Sequence, residues 1–250
     1  MMEKFLDICD DFQATIQVDA QNESGFTPLQ NAVESLKPNV VDVLLDRGAD
    51  LSRFVFPIEN ICENFEKNAR GWDKLRSASG ALSVVERLEK RGYDLNRDNA
   101  LTILDSFKEY GLFEKSSDLE KCWRDDDEFA SRAKEIIVTS SLSLHDLIQL
   151  RPKEEEKLLT YTNYFEIERS NNLDEIPKKY LDICLTHLCE KMSRGYVRRL
   201  AQDPFQELTR HKLPILCCEK IIDELKNEDL FEICKAGEIL AEENRAKMCN

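Results

Sequence analysis

The chain has few of the residues that break helices. Only 8 glycines and 7 prolines occur among 250 residues, too few for the many tight turns of an all-β protein. Apolar residues recur at spacings of three and four, whereas the alternating pattern of half-buried strands is almost absent. Because 42 % of the residues are hydrophobic, the chain can still bury a core. We therefore predict an all-α protein.

The chain also has fewer basic than acidic residues. Lys and Arg total 35 against 49 Asp and Glu, and a net charge of −14 repels nucleic-acid phosphates and anionic membranes. No apolar run approaches the ~20 residues of a membrane helix, and Met1 to Asp11 has acidic residues where a secretory signal needs apolar ones. We expect neither nucleic acid nor a membrane as a partner. We expect the protein in the cytoplasm, with the nucleus as a further location.

Sequence patterns of catalysis and metal binding are missing too. There is no glycine-rich phosphate loop, the nine cysteines include no C-x-x-C pair, and histidine occurs only three times. Cys184, His187 and Cys189 share an apolar segment without a second half for a four-ligand site, which favours packing thiols. Successive residues of Glu154-Glu155-Glu156 point in different directions on a helix, which predicts a solvated face. We predict no enzyme activity, no catalytic residue, no metal and no cofactor.

One segment has a repeat-like pattern. Residues 25–52 read GFTPLQNAVESLKPNVVDVLLDRGADLS. Thr27 is suited to cap a helix that starts at Pro28, and Gly48 is suited to end a second helix in the left-handed conformation. The two helices have apolar stripes at Leu29, Ala32 and Val33, and at Val40, Val41, Leu44 and Leu45. The segment resembles an ankyrin repeat, although Gln30 stands where the family has His and Leu36-Lys37 where it has Gly-His.

Parts of the same pattern recur on both sides. Residues 84–96 repeat its second half, and Gly92 lies 44 residues after Gly48. Because the ankyrin period is ~33 residues, we expect an insertion of about eleven residues between Phe54 and Ala81. A truncated repeat precedes Gly25, and a further helix pair is expected over residues 99–121. We therefore assign residues 1–121 to degenerate ankyrin repeats, which at this length need support from the rest of the chain.

The ankyrin resemblance also implies a binding face. Turns and inner helices line the concave surface of such arrays, so we expect them to contact a target protein. The candidate residues are Asn22, Glu23, Ser24, Phe26 and Gln30. Phe26 is the expected anchor, because an aromatic side chain in a polar turn is common at interfaces.

A second pattern lies near the C-terminus. Residues 213–233 read LPILCCEKIIDELKNEDLFEI. Pro214 fixes the backbone before a helix in which Cys217, Ile221 and Leu225 form one stripe and Cys218 and Ile222 a second. The segment resembles the beginning of an F-box at Leu213-Pro214, Ile221-Ile222, Leu225 and Asp229-Leu230. Ile215-Leu216 replaces an acidic residue usual in that family and the motif stops early, so we describe residues 213–234 as a truncated F-box-like motif.

Ankyrin repeats followed by a truncated F-box resemble the PRANC family. Four blocks are most similar to its parasitoid-wasp members: ERLEKRGYDLNRDNALTI, SLSLHDLIQLRP, HLCEKMSRGYVRR and LPILCCEKIIDEL. The resemblance implies a short ankyrin solenoid continued by a helical PRANC domain over residues 122–250. It further implies that the motif binds a Skp-type adaptor of a cullin (SCF) ubiquitin ligase while the repeats select a target. The expected adaptor contacts are Leu213, Pro214, Ile221, Ile222, Leu225 and Leu230.

Two alternatives remain open at the sequence level. The segment at residues 213–233 would also suit a terminal helix pair that seals the solenoid. In that case the protein would be an ankyrin-repeat binding module that sequesters a signalling or transcription factor without recruiting a ligase. Exposure of Leu213-Pro214 would distinguish the two.

Overall fold

Helices make up most of the structure. The computed structural model describes residues 17–67, 72–114, 127–139, 141–169, 176 and 178–248. The elements in chain order are α1 (Pro28–Glu34), α2 (Pro38–Asp46), α3 (Ile58–Lys67), α4 (Trp72–Lys90), α5 (Arg97–Glu109), α6 (Asp127–Glu135), β1 (Ile137–Thr139), β2 (Leu142–Ser143), α7 (Leu144–Gln149), α8 (Pro152–Leu158), α9 (Tyr161–Arg169), α10 (Lys178–Leu208), α11 (Ile215–Glu224) and α12 (Asn227–Met248). The predicted all-α character is confirmed at this level, with one short hairpin as the exception.

The first helix pair begins and turns as its sequence predicts. Thr27 Oγ1 accepts the Gln30 backbone N–H at 3.2 Å, and Pro28 occupies the first helical position. In the turn to α2, Leu36 has φ +50° and the Lys37 N–H donates to the Ala32 carbonyl at 3.0 Å. The backbone thus has the left-handed conformation that favours glycine, at the position where the ankyrin pattern has one. Burial of the Leu36 side chain in the core offsets the free-energy cost of this backbone conformation.

The next helix pair shows where the extra residues lie. Helix α4 is 19 residues long, whereas α2 has 9. The insertion was expected between residues 54 and 81. In the structure, much of this extra length forms the N-terminal part of α4. Gly92 then has φ +88°, nearly the same as Gly48 at +87°.

The helices stack in two layers. Helices α1, α3, α5 and α12 pack side by side in one layer, here called the inner layer, and α2, α4 and α10 pack in the other. Between the layers lie fully buried side chains such as Val33, Ile61, Leu82 and Ile103. Apolar faces that single helix pairs cannot bury are thereby covered by their neighbours.

One hydrophobic core continues from the first helices to the last. Helix α9 packs along α4, and α10 packs against both α4 and α12. The expected boundary between residues 121 and 122 lies outside the described residues. So do the first 16 residues, which contain most of the truncated repeat expected before Gly25, and most of the second helix of the pair expected at 99–121. The first helix of that pair is α5.

The middle of the chain contains the short hairpin and two helix starts. The apolar strip at residues 136–138 contributes to β1, which pairs antiparallel with β2. A capping box begins α7, since Ser143 Oγ accepts the Asp146 N–H at 3.2 Å and the Asp146 carboxylate accepts the Ser143 N–H. Pro152 begins α8, where its missing N–H costs nothing.

The predicted solvated face of the glutamate run is wrong for its middle residue. Glu155 is only 5 % exposed, because α8 packs this side against α10. Its carboxylate lies 2.9 Å from the Lys191 ammonium and accepts a hydrogen bond from the Tyr164 hydroxyl. Burial raises the pKa of Glu155 above its usual value, although the charge of Lys191 opposes the shift. Glu154 and Glu156 are exposed, as expected.

Candidate protein-interaction surfaces

Helix α11 follows directly from Leu213-Pro214. Pro214 is the residue before the helix, with φ −57°, and its carbonyl accepts the Cys217 N–H at 2.8 Å. Cys218 and Ile222 point into the protein, at 2 % and 0 % exposure. Of the two apolar stripes expected on this helix, the one formed by Cys218 and Ile222 is buried and packs α11 on α10, whereas Cys217 and Ile221 of the other are exposed.

Several apolar side chains of this segment are nevertheless exposed. Leu216 is 71 % exposed, Ile215 60 %, Ile221 40 % and Leu213 38 %, and Pro214 is exposed as well. We call these five residues the α11 patch. Single exposed apolar side chains are common on protein surfaces, whereas a group of them is typical of a site that binds a partner.

Arg194 fixes the C-terminal end of α11. This arginine lies on α10 and is 8 % exposed. Its guanidinium donates to the carbonyls of Asp223 at 2.8 Å and Ile222 at 3.3 Å, to the Leu225 carbonyl, and to Asn227 Oδ1 at 3.1 Å. One side chain thereby satisfies carbonyls at the end of α11 and joins them to the start of α12.

Salt bridges hold the same end of the helix. The Asp223 carboxylate pairs with Arg198 at 3.0 Å and with Lys153. Partial burial opposes ionisation of Asp223, but hydrogen bonds from Lys153 and Arg198 together hold its pKa below the usual value. The α11 patch is thus presented by a helix with several polar attachments to α10 and α8.

The predicted adaptor contacts fall into two groups. Leu213, Pro214 and Ile221 are exposed in the α11 patch, whereas Ile222 and Leu230 are both 0 % exposed and Leu225 is half-buried. Direct contact of Ile222 and Leu230 with a partner is therefore corrected: they pack in this protein's own core. Sequence reasoning missed Ile215 and Leu216, which it treated only as departures from the F-box pattern.

The predicted target-binding residues lie in and after the first turn. Asn22 Oδ1 accepts the backbone N–H groups of Ser24 at 3.0 Å and Phe26 at 2.9 Å, and Gly25 has φ +81°. Asn22, Glu23 and Ser24 are exposed, and Phe26 is half-buried. The turn therefore holds Phe26 at the surface in a defined conformation.

Gln30 has a structural role that the sequence did not predict. Its Oε1 accepts the Thr27 N–H at 3.0 Å, and its Nε2 donates to the Val55 carbonyl at 3.2 Å. This second bond joins the first helix pair to the loop before α3, and it is made from the position where the ankyrin pattern has histidine. The neighbouring Val55, absent from our predicted residues, is 68 % exposed.

The two thiols that the sequence predicts to serve packing, Cys184 and Cys189, are buried. Cys184 and Cys189 are each 1 % exposed, and His187 Nε2 lies 3.4 Å from the Ile148 carbonyl. Burial raises the pKa of the Cys189 thiol to about 12, which disfavours the thiolate that metals bind. Within the described ranges, no group of three or more histidine, cysteine or acidic side chains could hold a metal ion. In the same ranges no helix has the length and apolarity needed to cross a membrane.

Comparisons with protein-family models, curated proteins and solved structures find no match for this chain. Its relation to the ankyrin and PRANC families therefore stays a prediction from the sequence motifs. The class that the structure defines is a mostly helical protein with a group of exposed apolar side chains at and before helix α11.

Proposed function

We propose that this protein links a target, bound by degenerate ankyrin repeats, to a cullin-type ubiquitin ligase through its truncated F-box-like motif. The observation that supports the ligase half is the α11 patch, in which Leu213 and Pro214 are exposed. A helix pair serving only to seal the fold would be expected to bury such side chains. In this proposal the chain catalyses nothing itself, because ubiquitin transfer belongs to the ligase.

The attachment of α11 also supports the proposal. An adaptor surface that is already ordered loses less conformational entropy on binding. The contacts of Arg194, Arg198 and Lys153 fix the end of α11, and Cys218 and Ile222 fix its inner side. Ile222 and Leu230 then contribute by placing the patch rather than by touching the adaptor.

The target half of the proposal depends on the turns before the inner-layer helices. Asn22, Glu23, Ser24 and Phe26 reach the surface there, on the turn that precedes α1. The same core includes Leu29 of α1, the helix after this turn, and Ile222 of α11. A target bound by the turns would therefore be held at a fixed position relative to the adaptor.

The test is adaptor binding by a variant in which Leu213 and Pro214 are both replaced by Ala. Removing an anchor and the φ restriction before α11 should cost ~2 kcal/mol or more, about thirtyfold in affinity. The measurement is a pull-down with a purified Skp-type adaptor, with circular dichroism to establish that the variant is folded. Lys220→Ala is the matched control, because this exposed α11 side chain lies outside the patch and should leave binding unchanged. A folded double variant that retains the adaptor would refute the ligase half.

The second candidate function is sequestration of a signalling or transcription factor without a ligase. It is favoured by the burial of Ile222 and Leu230, because two of the six expected adaptor contacts then serve packing. Under this function, wild-type protein would recover a target but no adaptor from a cell extract. The ligase proposal instead requires both in the same pull-down.

A further inference from the structure

A cavity of about 340 Å³ lies between α4 and α10, beside the start of α9. Leu82 and Val85 of α4 line it with apolar surface and are almost fully buried. A second cavity of about 140 Å³ shares four of its lining residues, namely Glu86, Glu156, Tyr161 and Gly195. We call the two cavities together the α10 cleft.

Open space in the α10 cleft depends on a glycine in the interior of α10. A Cβ atom on Gly195 would lie 3.2 Å from Glu156 Oε1, closer than an ordinary contact. Glycine lowers helix stability relative to alanine at such a position. Gly195 therefore leaves room where the two cavities meet, although alanine would suit the helix better.

The neighbouring Tyr196 places a polar group without a partner in the cleft. Its side chain is 1 % exposed, and its hydroxyl has no hydrogen-bond partner among the described residues. The charges of Arg199 and Glu89, which line the larger cavity, act on this hydroxyl, so it lies on the cleft side of the ring. Burial raises the pKa of Tyr196 and keeps the group protonated. Because buried hydroxyls are nearly always hydrogen-bonded, this one indicates a ligand atom in the cleft.

The basic side chains of the cleft are already paired. Arg199 donates to both carboxylate oxygens of Glu89, at 2.7 and 3.1 Å. Arg198 donates to Glu156 Oε2 at 2.5 Å, and Lys191 lies 2.9 Å from its buried glutamate partner. An anionic ligand would have to displace these partners, so the pairing disfavours anions.

Two carboxylates of the cleft retain the capacity to accept hydrogen bonds. Glu156 uses Oε2 for Arg198, and its Oε1 is the atom that faces Gly195. Glu86 pairs with Lys90 at 3.0 Å, four residues further along the same helix, and such exposed pairs contribute little. Ionised carboxylates only accept hydrogen bonds, so a ligand held by them must supply donors.

We propose that the α10 cleft binds an organic ammonium ion, a primary amine that carries an apolar body. Its three N–H donors match three acceptors in number: Glu86, Glu156 Oε1 and the Tyr196 hydroxyl oxygen. Its apolar body would lie on Leu82 and Val85, in the way that small-molecule sites combine an apolar lining with a few polar groups. This site is separate from the α11 patch, and the inference is independent of the ligase and target proposals.

The test compares three small molecules of similar shape on the full chain by isothermal titration calorimetry. The probes are 2-phenylethylammonium, the neutral 2-phenylethanol and the anionic 3-phenylpropanoate, at about pH 7 and ~0.15 M salt. We expect the ammonium to bind about tenfold or more tightly than the alcohol, because its hydrogen bonds are charge-assisted, and the carboxylate to bind least. No binding of the ammonium, or equal binding of the alcohol, would overturn the inference.

Tyr196→Phe separates a ligand site from a structural hydroxyl. The variant keeps the ring and removes only the group that has no partner among the described residues. We expect its melting temperature to equal or exceed that of the wild type, while the ammonium binds about fivefold or more weakly. A lower melting temperature with unchanged ammonium binding would mean that the hydroxyl serves the fold, and the inference would be wrong.

A matched pair of glutamate variants tests the charge of the cleft. Glu86→Gln should weaken ammonium binding about tenfold. Glu63→Gln is the control, because Glu63 pairs with Lys67 at 2.9 Å in the same four-residue spacing but lies outside the cleft. It should leave binding unchanged, and equal losses in the two variants would reduce the effect to general charge attraction and overturn the site.

Gly195→Ala tests the shape of the cleft. The added methyl group would enter the space beside Glu156, while the helix itself should gain stability. We therefore expect a folded variant that binds the ammonium about tenfold or more weakly. A folded Gly195→Ala protein with wild-type affinity would place the amine elsewhere and contradict the inference.

Discussion

The most informative stability prediction concerns Arg194, the buried arginine that joins α10 to both ends of the α11–α12 turn. We consider Arg194→Met, which keeps a long apolar stem and removes the guanidinium. The lost contacts include the Asp223 carbonyl at 2.8 Å and Asn227 Oδ1 at 3.1 Å. A hydrogen bond from a charged donor contributes about 1.5–3 kcal/mol, and two of them outweigh the desolvation that removal of the buried charge recovers. We expect a net loss of about 2–4 kcal/mol.

Thermal and urea unfolding measure this loss. For a chain of this size 1 kcal/mol corresponds to about 2–4 °C, so the melting temperature should fall by roughly 4–16 °C. Arg194→Lys is the control, because it keeps the charge but cannot reach the several acceptors with one planar group, and it should lie between wild type and Arg194→Met. Hydrogen exchange should show faster exchange in α11 for both variants. If Arg194→Met melted like the wild type, the proposed attachment of α11 would be wrong.

Two further predictions concern the core and the buried ion pair. Leu44→Ala should destabilise the protein by about 2–5 kcal/mol in urea unfolding, because the Leu44 side chain is only 3 % exposed between the layers. The control Val43→Ala should cost less, because Val43 is half-buried. Equal losses of stability in the two variants would contradict this packing. For Glu155, whose pKa burial raises, ionisation in the folded protein is disfavoured, so its contribution to stability falls as pH rises above about 4.5. The stability advantage of wild type over Glu155→Gln should therefore shrink between pH 4.5 and 7; an advantage that grows would mean that the pair with Lys191 dominates.

Local features could be predicted from the sequence because each depends on a few neighbouring residues. The cap at Thr27, the left-handed turn at Gly48 and the apolar stripe of Cys218 and Ile222 on α11 follow from hydrogen-bonding groups, glycine conformation or helical spacing. The all-α class followed from the same periodicity. These features require no knowledge of which helices meet.

The features that escaped prediction depend on contacts far apart in sequence. Glu155 was predicted to be solvated because no residue near it in the sequence indicates its contact with Lys191. Nothing in the sequence distinguishes Arg194 from the neighbouring basic residues, because its partners lie at the end of α11. Exposure of Leu216 could not be derived either, since residues 213–225 have apolar side chains in several directions. The one available clue was the place where the F-box pattern has an acidic, and hence exposed, residue.

Direct titration of a purified Skp-type adaptor with the purified full chain tests the central claim most directly. Isothermal titration calorimetry reports affinity and stoichiometry together, without other cellular proteins that could bridge the two. We predict saturable one-to-one binding that weakens about thirtyfold in the folded Leu213/Pro214 double variant and persists in Lys220→Ala. Absence of binding by the wild-type chain, or equal affinity of the wild type and the double variant, would contradict it.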